Sequence, residues 1–306
     1  MAAPVSTLFF GSGLVALPAL ELLLASDLVT VDAVVTAPPR PAGRTGRLTP
    51  TPVADLAAER DVPLQTPSSL RTDESLARLR AVDPALIVLA DYGRIIPGAV
   101  LQLPRHGALN IHPSLLPRHR GAAPVQAAIA EGDTRTGVTL MQMDEGLDTG
   151  PVVAQVEVPL SGSETAPELE ARLARLGADL LIEALPRWLE GSLSASPQPT
   201  AGATLTRPLR RDDGRLDAAR PAAELERLVR AYQPWPGTWL EVAGERLKVW
   251  AAGVEPAAGE AAPGEVVPLG ETVALATSNG WLRLDEVQPA GKRRMHGADY
   301  RRGRRG

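Results

Sequence analysis

The chain has 306 residues and a formal net charge of −4, which excludes a uniformly basic nucleic-acid binder. It has no cysteine, so disulfides, thiol nucleophiles and cysteine-ligated metals are excluded. No Lys or Arg precedes Arg40 to open a secretory signal, and no uncharged run reaches membrane-spanning length, so a soluble, cytoplasmic protein is expected.

In chain order, VSTLFF (5–10) followed by GSGLVALPALELLLAS predicts a strand, a Gly turn and a helix. VTVDAVVTA (29–37) predicts a second buried strand, and TPVADLAAER (51–60) a helix opened by Pro52. SLARLRAV (75–82) is a further helical stretch. PALIVLADY (84–92) and GALNIH (107–112) are a third and fourth strand. APVQAAIAEG (123–132) is helical and stops at Gly132. TGVTLMQM (136–143) and PVVAQVEVPL (151–160) alternate as half-buried strands do, and 166–191 is a long amphipathic helix. Strands separated by helices imply βαβ units and a largely parallel sheet.

The composition then changes. Residues 192–208 are rich in Ser, Pro, Thr and Gly and read as a linker. After one more helix (222–232) come short alternating strands with turn signals, among them SNG at 278–280. The expected architecture is α/β: a domain over 1–191 with a Rossmann-like, mostly parallel sheet, the linker, and a small OB-like β-barrel over 209–306. Charge divides with it. Residues 1–206 carry 15 basic and 22 acidic side chains, residues 207–306 carry 17 and 14, so the second half can offer a polyanion-binding surface.

GSGLVA (11–16) fits the G-x-G-x-x-A pattern of dinucleotide turns, but Asp32 lies at the start of the second strand rather than near its end. PRPAGRTGRLTP (39–50) is long for a connection and holds three arginines and no acid, which suits phosphate contact. Asn110 and His112 are two apart on a strand and therefore share a face. An Asn amide can donate to an oxygen gaining negative charge, and a His can donate or carry a proton near neutral pH. Asp148, in DEGLDTGPVV, would orient His112 and favour its charged form if the two loops meet. A metal site is not expected, since there is neither HExxH nor Cys. Ser114 is not expected to be a nucleophile, because SLLP is not a G-x-S-x-G elbow.

NIHPSLLP (110–117), RHRGAAP (118–124) and MDEGLDTG (143–150) together resemble the folate-dependent formyltransferases, and among them those acting on initiator methionyl-tRNA. RPAGR (40–44), YGRIIP (92–97), PWPGTWLEV (234–242), LKVW (247–250) and QPAGK (288–292) extend the resemblance over nearly the whole chain. It implies formyl transfer from 10-formyltetrahydrofolate to the amine of methionine on initiator tRNA, without a metal, by a monomer. Asn110, His112 and Asp148 match the family's catalytic residues, with His112 protonated beside the developing oxyanion. Ser114, Leu115, Leu116 and Pro117, with Arg94, Ile95 and Ile96, match its folate-contacting segments. Arg40, Arg44, Arg47, Arg207, Arg210, Lys292, Arg293 and Arg294 are the expected tRNA contacts. Departures are His119 where a Trp is common, Asp91 and Arg94 where small or apolar residues are common, TRPLRR (206–211) in the linker, and a basic C-terminal end. Alternative activities are formylation of a small amine, such as a sugar nucleotide or glycinamide ribonucleotide, and hydrolysis of the folate.

Overall fold

A computed structural model describes residues 3–42 and 46–303. In chain order, β1 (Val5–Gly11) leads through a 3-10 turn into α1 (Leu17–Leu24), then β2 (Val29–Val35), β3 (Arg40–Ala42) and β4 (Arg47–Thr49). Next come α2 (Pro52–Glu59), β5 (Leu64–Gln65), α3 (Asp73–Ala81), β6 (Leu86–Ala90), α4 (Gly98–Leu101), β7 (Ala108–His112) and β8 (Arg120–Gly121). α5 (Pro124–Glu131), β9 (Arg135–Gln142), β10 (Val152–Pro159), α6 (Ala166–Leu189) and β11 (Leu205–Thr206) follow. The chain continues with α7 (Ala222–Ala231), β12 (Thr238–Val242), β13 (Glu245–Glu255), β14 (Val266–Leu269), β15 (Thr272–Ala276), β16 (Trp281–Pro289), β17 (Met295–His296) and α8 (Gly297–Gly303). No helix among the described residues is long and apolar enough to cross a membrane.

Two compact units form. The first takes 1–122, 136–158 and 170–206, the second 123–135, 159–169 and 207–306. Two stretches inside 1–191 therefore cluster with the second unit. One carries α5, whose apolar side chains pack against α7, a partner a hundred residues away that local periodicity does not reveal.

The first unit is built on a seven-stranded sheet in the order β10-β9-β7-β6-β1-β2-β5. β1 runs parallel to β2 and β6, β2 to β5 and β6 to β7, while β9 is antiparallel to β7. β6 (LIVLA) is buried at every position, as a strand covered on both faces must be. On one face Leu8, Phe10, Ile87, Leu89, Ile96 and Val100 form a core that ends at Ala108 of β7. Helices start where the sequence signals them: the Thr51 and Thr72 side chains accept from Ala54 N and Ser75 N. The order turns back between β1 and β6, so their carboxyl ends border the crevice where such sheets bind ligands. Within 38–50, expected as a bare loop, β3 and β4 pair as an antiparallel hairpin. The 192–208 segment is tied to the first unit: Ser196 bridges Val152, and β11 pairs with β8. Its composition gave no such signal, because these pairings use backbone groups.

The second unit holds a purely antiparallel sheet, β12-β13-β16-β15-β14, with β17 added to β16. The register of β13 on β16 slips between Val249 and Ala252, a bulge that bends the long strand. Leu240, Leu247, Val249, Leu282, Leu284 and Val287 face α7 in one core.

Candidate active site

Alternation along β7 sorts its side chains. Ala108 belongs to the core on one face, and Asn110 and His112 follow it there. Leu109 and Ile111 take the other face, where α6 lies so near that a Cβ on Gly177 would come within 2.5 Å of Ile111 Cγ2. Gly177 thus lets the helix press on the strand carrying the two polar residues.

His112 is buried between two acceptors. Its Nε2 is 2.9 Å from the His119 carbonyl, and its Nδ1 is 3.7 Å from Asp148 Oδ2. Burial pushes the imidazole below its ordinary value of 6.5, while the Asp148 carboxylate and the His119 carbonyl pull the other way. The sequence reading expected Asp148 to make the charged form prevail. Desolvation is the larger effect, so the ring is neutral at pH 7. The carbonyl at Nε2 favours the tautomer with its proton there, which leaves Nδ1 bare toward the carboxylate.

Asp148 sits in the left-handed region (φ 51°), which Asp tolerates better than most residues. The Gly121 amide donates to its Oδ2 at 2.8 Å. Gly121 itself has φ 101°, and a Cβ there would lie 2.2 Å from the Thr206 carbonyl across the β8–β11 pair. Gln198 Nε2 donates to the carbonyls of Asp148 (2.9 Å) and Gly150 (2.7 Å), and its Oε1 accepts from Arg120 Nε and Nη2 at 3.0 and 2.7 Å. Neither Gln198 nor Gly121 stood out in the sequence. One lies in a low-complexity stretch, and the other acts through its backbone.

The 114–117 turn is anchored from within. Ser114 Oγ donates to the Arg118 carbonyl at 2.6 Å and is fully buried. Thr139 Oγ1 donates to the Ser114 carbonyl and accepts from Leu116 N and Gln155 Nε2. Leu116 is buried, leaving Leu115 and Pro117 half-buried. The side chains of Ser114 and Leu116 hold the turn and do not line an open surface.

After β6, Arg94 turns to the opposite loop, where Nη1 donates to the Pro67 carbonyl at 2.8 Å and the Ser68 carbonyl at 3.2 Å. Ile95 is 74% exposed and Ile96 is buried. A cleft of about 410 Å³ opens here between Leu70, Leu76, Ile95, Ile96 and Glu145. In the core cluster behind it the Tyr92 hydroxyl is buried beside the Arg94 guanidinium. At the Gly-rich turn, an Asp91 carboxylate oxygen would lie 1.9 Å from a Cβ on Gly13. A negative charge thus stands where a dinucleotide fold would receive a pyrophosphate.

The Formyl transferase family model matches residues 5–185, and the Formyl transferase, C-terminal domain model matches 208–305. The chain belongs to the formyl transferase family. A methionyl-tRNA formyltransferase of Myxococcus xanthus is 47% identical over 90% of this chain and 88% of its own. One of Aromatoleum aromaticum is 45% identical over 99% and 95%. Among solved structures, an N-formyltransferase of Helicobacter canadensis in complex with folinic acid and dTDP-3-aminofucose superposes with a TM-score of 0.67 at 16% identity, over 93% of this chain and 99% of that one. At that identity the likeness is one of fold.

Within this formyl transferase the expected tRNA contacts fall on separate elements. Arg40 and Arg47 are exposed on the β3–β4 hairpin, and Arg44 lies outside the described residues. Arg207 is held by Asp213 at 2.7 and 2.5 Å, and the backbone amide of Arg210 donates to the same carboxylate at 2.6 Å. Lys292 and Arg293 are exposed before β17, whereas Arg294 pairs with Glu286.

Proposed function

We propose that this chain transfers the formyl group of 10-formyltetrahydrofolate to the α-amino group of methionine on initiator tRNA. The observation that carries the reading is the approach of His112 to Asp148 beside Asn110, in a chain whose near full-length relatives bear the name methionyl-tRNA formyltransferase.

The folate supplies an activated one-carbon unit. Its flat ring fits the cleft beside Ile95 and Ile96, where Leu70 and Leu76 give apolar walls and Glu145 an acceptor for ring N–H groups. In this reading Leu115 and Pro117 also contact the folate, while Arg94, Ser114 and Leu116 fix the segments that carry the contacts. The Asn110 amide donates to the formyl oxygen as negative charge grows there. The attacking amine must be neutral. With an α-amino pKa of about 7.7–8.0, lowered further by the adjacent ester, a useful fraction is free at pH 7. Bare His112 Nδ1 accepts the proton this amine releases, and Asp148 stabilises the imidazolium so formed. His112 then passes the proton to the departing nitrogen, and no covalent enzyme adduct is required.

The tRNA is held by phosphate contacts from Arg40, Arg44, Arg47, Arg207, Arg210, Lys292, Arg293 and Arg294, with the protein acting as a monomer in the cytoplasm. The test is incubation with 10-formyltetrahydrofolate and, in parallel, methionyl-initiator tRNA, uncharged tRNA, an amino-sugar nucleotide or glycinamide ribonucleotide. Formylmethionine forming only on the charged tRNA is expected. Preferred formylation of a small amine, or formate release without an acceptor, would overturn the reading.

A further inference from the structure

The 119–121 ribbon touches both His112 and Asp148. His119 presents its carbonyl to His112 Nε2 at 2.9 Å, and the Gly121 amide donates to Asp148 Oδ2 at 2.8 Å. His119 has φ 58°, a left-handed backbone that a non-glycine residue keeps only where its surroundings hold it. Much of that hold comes from Thr204, the residue just before β11. The His119 amide donates to Thr204 Oγ1 at 2.8 Å. The Arg120 amide donates to the Thr204 carbonyl at 2.9 Å, and the Thr204 amide donates to the Pro117 carbonyl at 3.3 Å.

A trans peptide points its N–H and C=O in opposite directions. With the Arg120 N–H aimed at Thr204, the His119 carbonyl is turned the other way, toward His112. The His119 N–H, aimed at the Thr204 hydroxyl, orients the peptide plane on the other side of the same Cα. Thr204 therefore acts on both backbone torsions of the residue that gives His112 its acceptor. Any residue at 204 would supply the carbonyl, but the hydroxyl belongs to Thr. An acceptor at Nε2 keeps the single proton of a neutral imidazole there and leaves Nδ1 bare.

We propose that Thr204 is a positioning residue for the transfer reaction: its hydroxyl holds the His119 peptide so that the His112 proton stays on Nε2 and Nδ1 stays open to the attacking amine. This rests on the reading that His112 is the proton acceptor. It gives the 192–208 segment a second hold on the site, separate from that of Gln198. Gln198 sets the loop of Asp148, and Thr204 sets the partner of the imidazole.

The test compares the full chain with Thr204→Val, which keeps the branched shape and loses the acceptor, and with Thr204→Ser, which keeps the hydroxyl. Loss of one hydrogen bond predicts a fall in the single-turnover plateau rate of about three- to tenfold for Thr204→Val, with KM for tRNA unchanged. The His119 carbonyl favours the charged imidazole, so its loss should also move the pH midpoint of the rate downward. The titratable groups facing His112 are Asp148 and the His119 ring, and neither substitution alters them. Nitrogen NMR of labelled histidine, assigned against a His112→Gln spectrum, should show the proton on Nε2 in the unaltered protein and in Thr204→Ser, and mixed tautomers in Thr204→Val. A folded Thr204→Val variant that keeps its rate, or that loses rate with tautomer and midpoint unchanged, would overturn the assignment. So would a Thr204→Ser variant as impaired as Thr204→Val. Should Thr204→Val fail to fold, the unaltered protein still decides, because a His112 proton found on Nδ1 also overturns it. If the tautomers behave as expected and the unaltered protein formylates no acceptor, it is the functional reading that fails.

Discussion

Gln198 Nε2 donates to the backbone carbonyl of Asp148 at 2.9 Å, so a residue from the Ser- and Pro-rich segment sets the loop that carries the carboxylate facing His112. The same amide holds the Gly150 carbonyl, and the side chain is in turn fixed by Arg120. Gln198→Ala removes two donated bonds and frees the loop. A net contribution of about 1 kcal/mol per bond predicts a fall in kcat of roughly tenfold or more with KM for tRNA little changed. Gln198→Glu would set a carboxylate against two carbonyls and lose more. Single-turnover kinetics at saturating substrate check this, and a Gln198→Ala rate equal to that of the unaltered protein would remove Gln198 from the positioning network.

In the proposed reaction, Asn110→Ala removes the donor to the formyl oxygen. Loss of one such donor costs about 2.7–4 kcal/mol, which is on the order of a hundredfold or more in rate. Binding of tRNA should persist. A variant that keeps its rate in single-turnover measurement would show that the charge is stabilised elsewhere.

The neutral state of His112 has a pH signature. Burial sets its folded pKa below the ordinary 6.5, so the ring is a base above that lowered value and is protonated, and inactive as a proton acceptor, below it. The rate should therefore fall as pH drops through a midpoint under 6.5. Asp148→Asn deletes the charge that pulls the pKa upward, so the midpoint should move to still lower pH while the plateau rate falls. Stability follows the same sign: the unfolded chain binds this proton first, so acidification between 6.5 and the folded value disfavours the fold. A midpoint above 6.5 would mean that the charged imidazole is the working form.

Much of this was legible in the sequence because short-range rules act there. Short apolar runs such as LFF and LIVLA, bounded by turn signals, read as buried strands, and two-residue alternation put Asn110 and His112 on one face. What stayed hidden depends on non-local geometry. The folded protonation of His112 follows from desolvation, which composition does not encode. Gly121 works through its amide, Gln198 through a partner fifty residues away, and α5 through a helix it meets only in the second unit. Arg94 and Ser114 lie in segments that match folate contacts, and nothing local in the sequence reveals that their side chains also tie to the Pro67, Ser68 and Arg118 carbonyls.

Gly177 tests whether packing behind the sheet reaches the site. A Cβ there would lie 2.5 Å from Ile111 Cγ2 and 3.1 Å from Val138 Cγ1, contacts that require a shift. Gly177→Val adds still more volume to a filled interface, at a cost of about 1–3 kcal/mol. Because Ile111 stands between Asn110 and His112, kcat should fall along with thermal stability. A variant destabilised to that extent with full kcat at a temperature where it is folded would show that β7 absorbs the strain without moving its polar face.

Asp91 yields the clearest stability test. Its pKa is raised from 3.8 to about 6, first by desolvation of the carboxyl and then by the nearby Glu170. A folded carboxyl that holds its proton more tightly than the unfolded one favours folding at low pH, and this advantage is lost as pH rises from 3.8 through about 6. Above that range Asp91 is an ionised group the fold would be better without. Asn tolerates the left-handed backbone at this position (φ 47°) as Asp does, so Asp91→Asn isolates the charge. Because the residue is partly open to water, the gain is small: a rise in Tm of about 1–3 °C at pH 7.5 that vanishes near pH 4. Glu170→Gln should reproduce a fraction of it. An equal shift at both pH values would assign the effect to packing over Gly13 and not to the carboxylate.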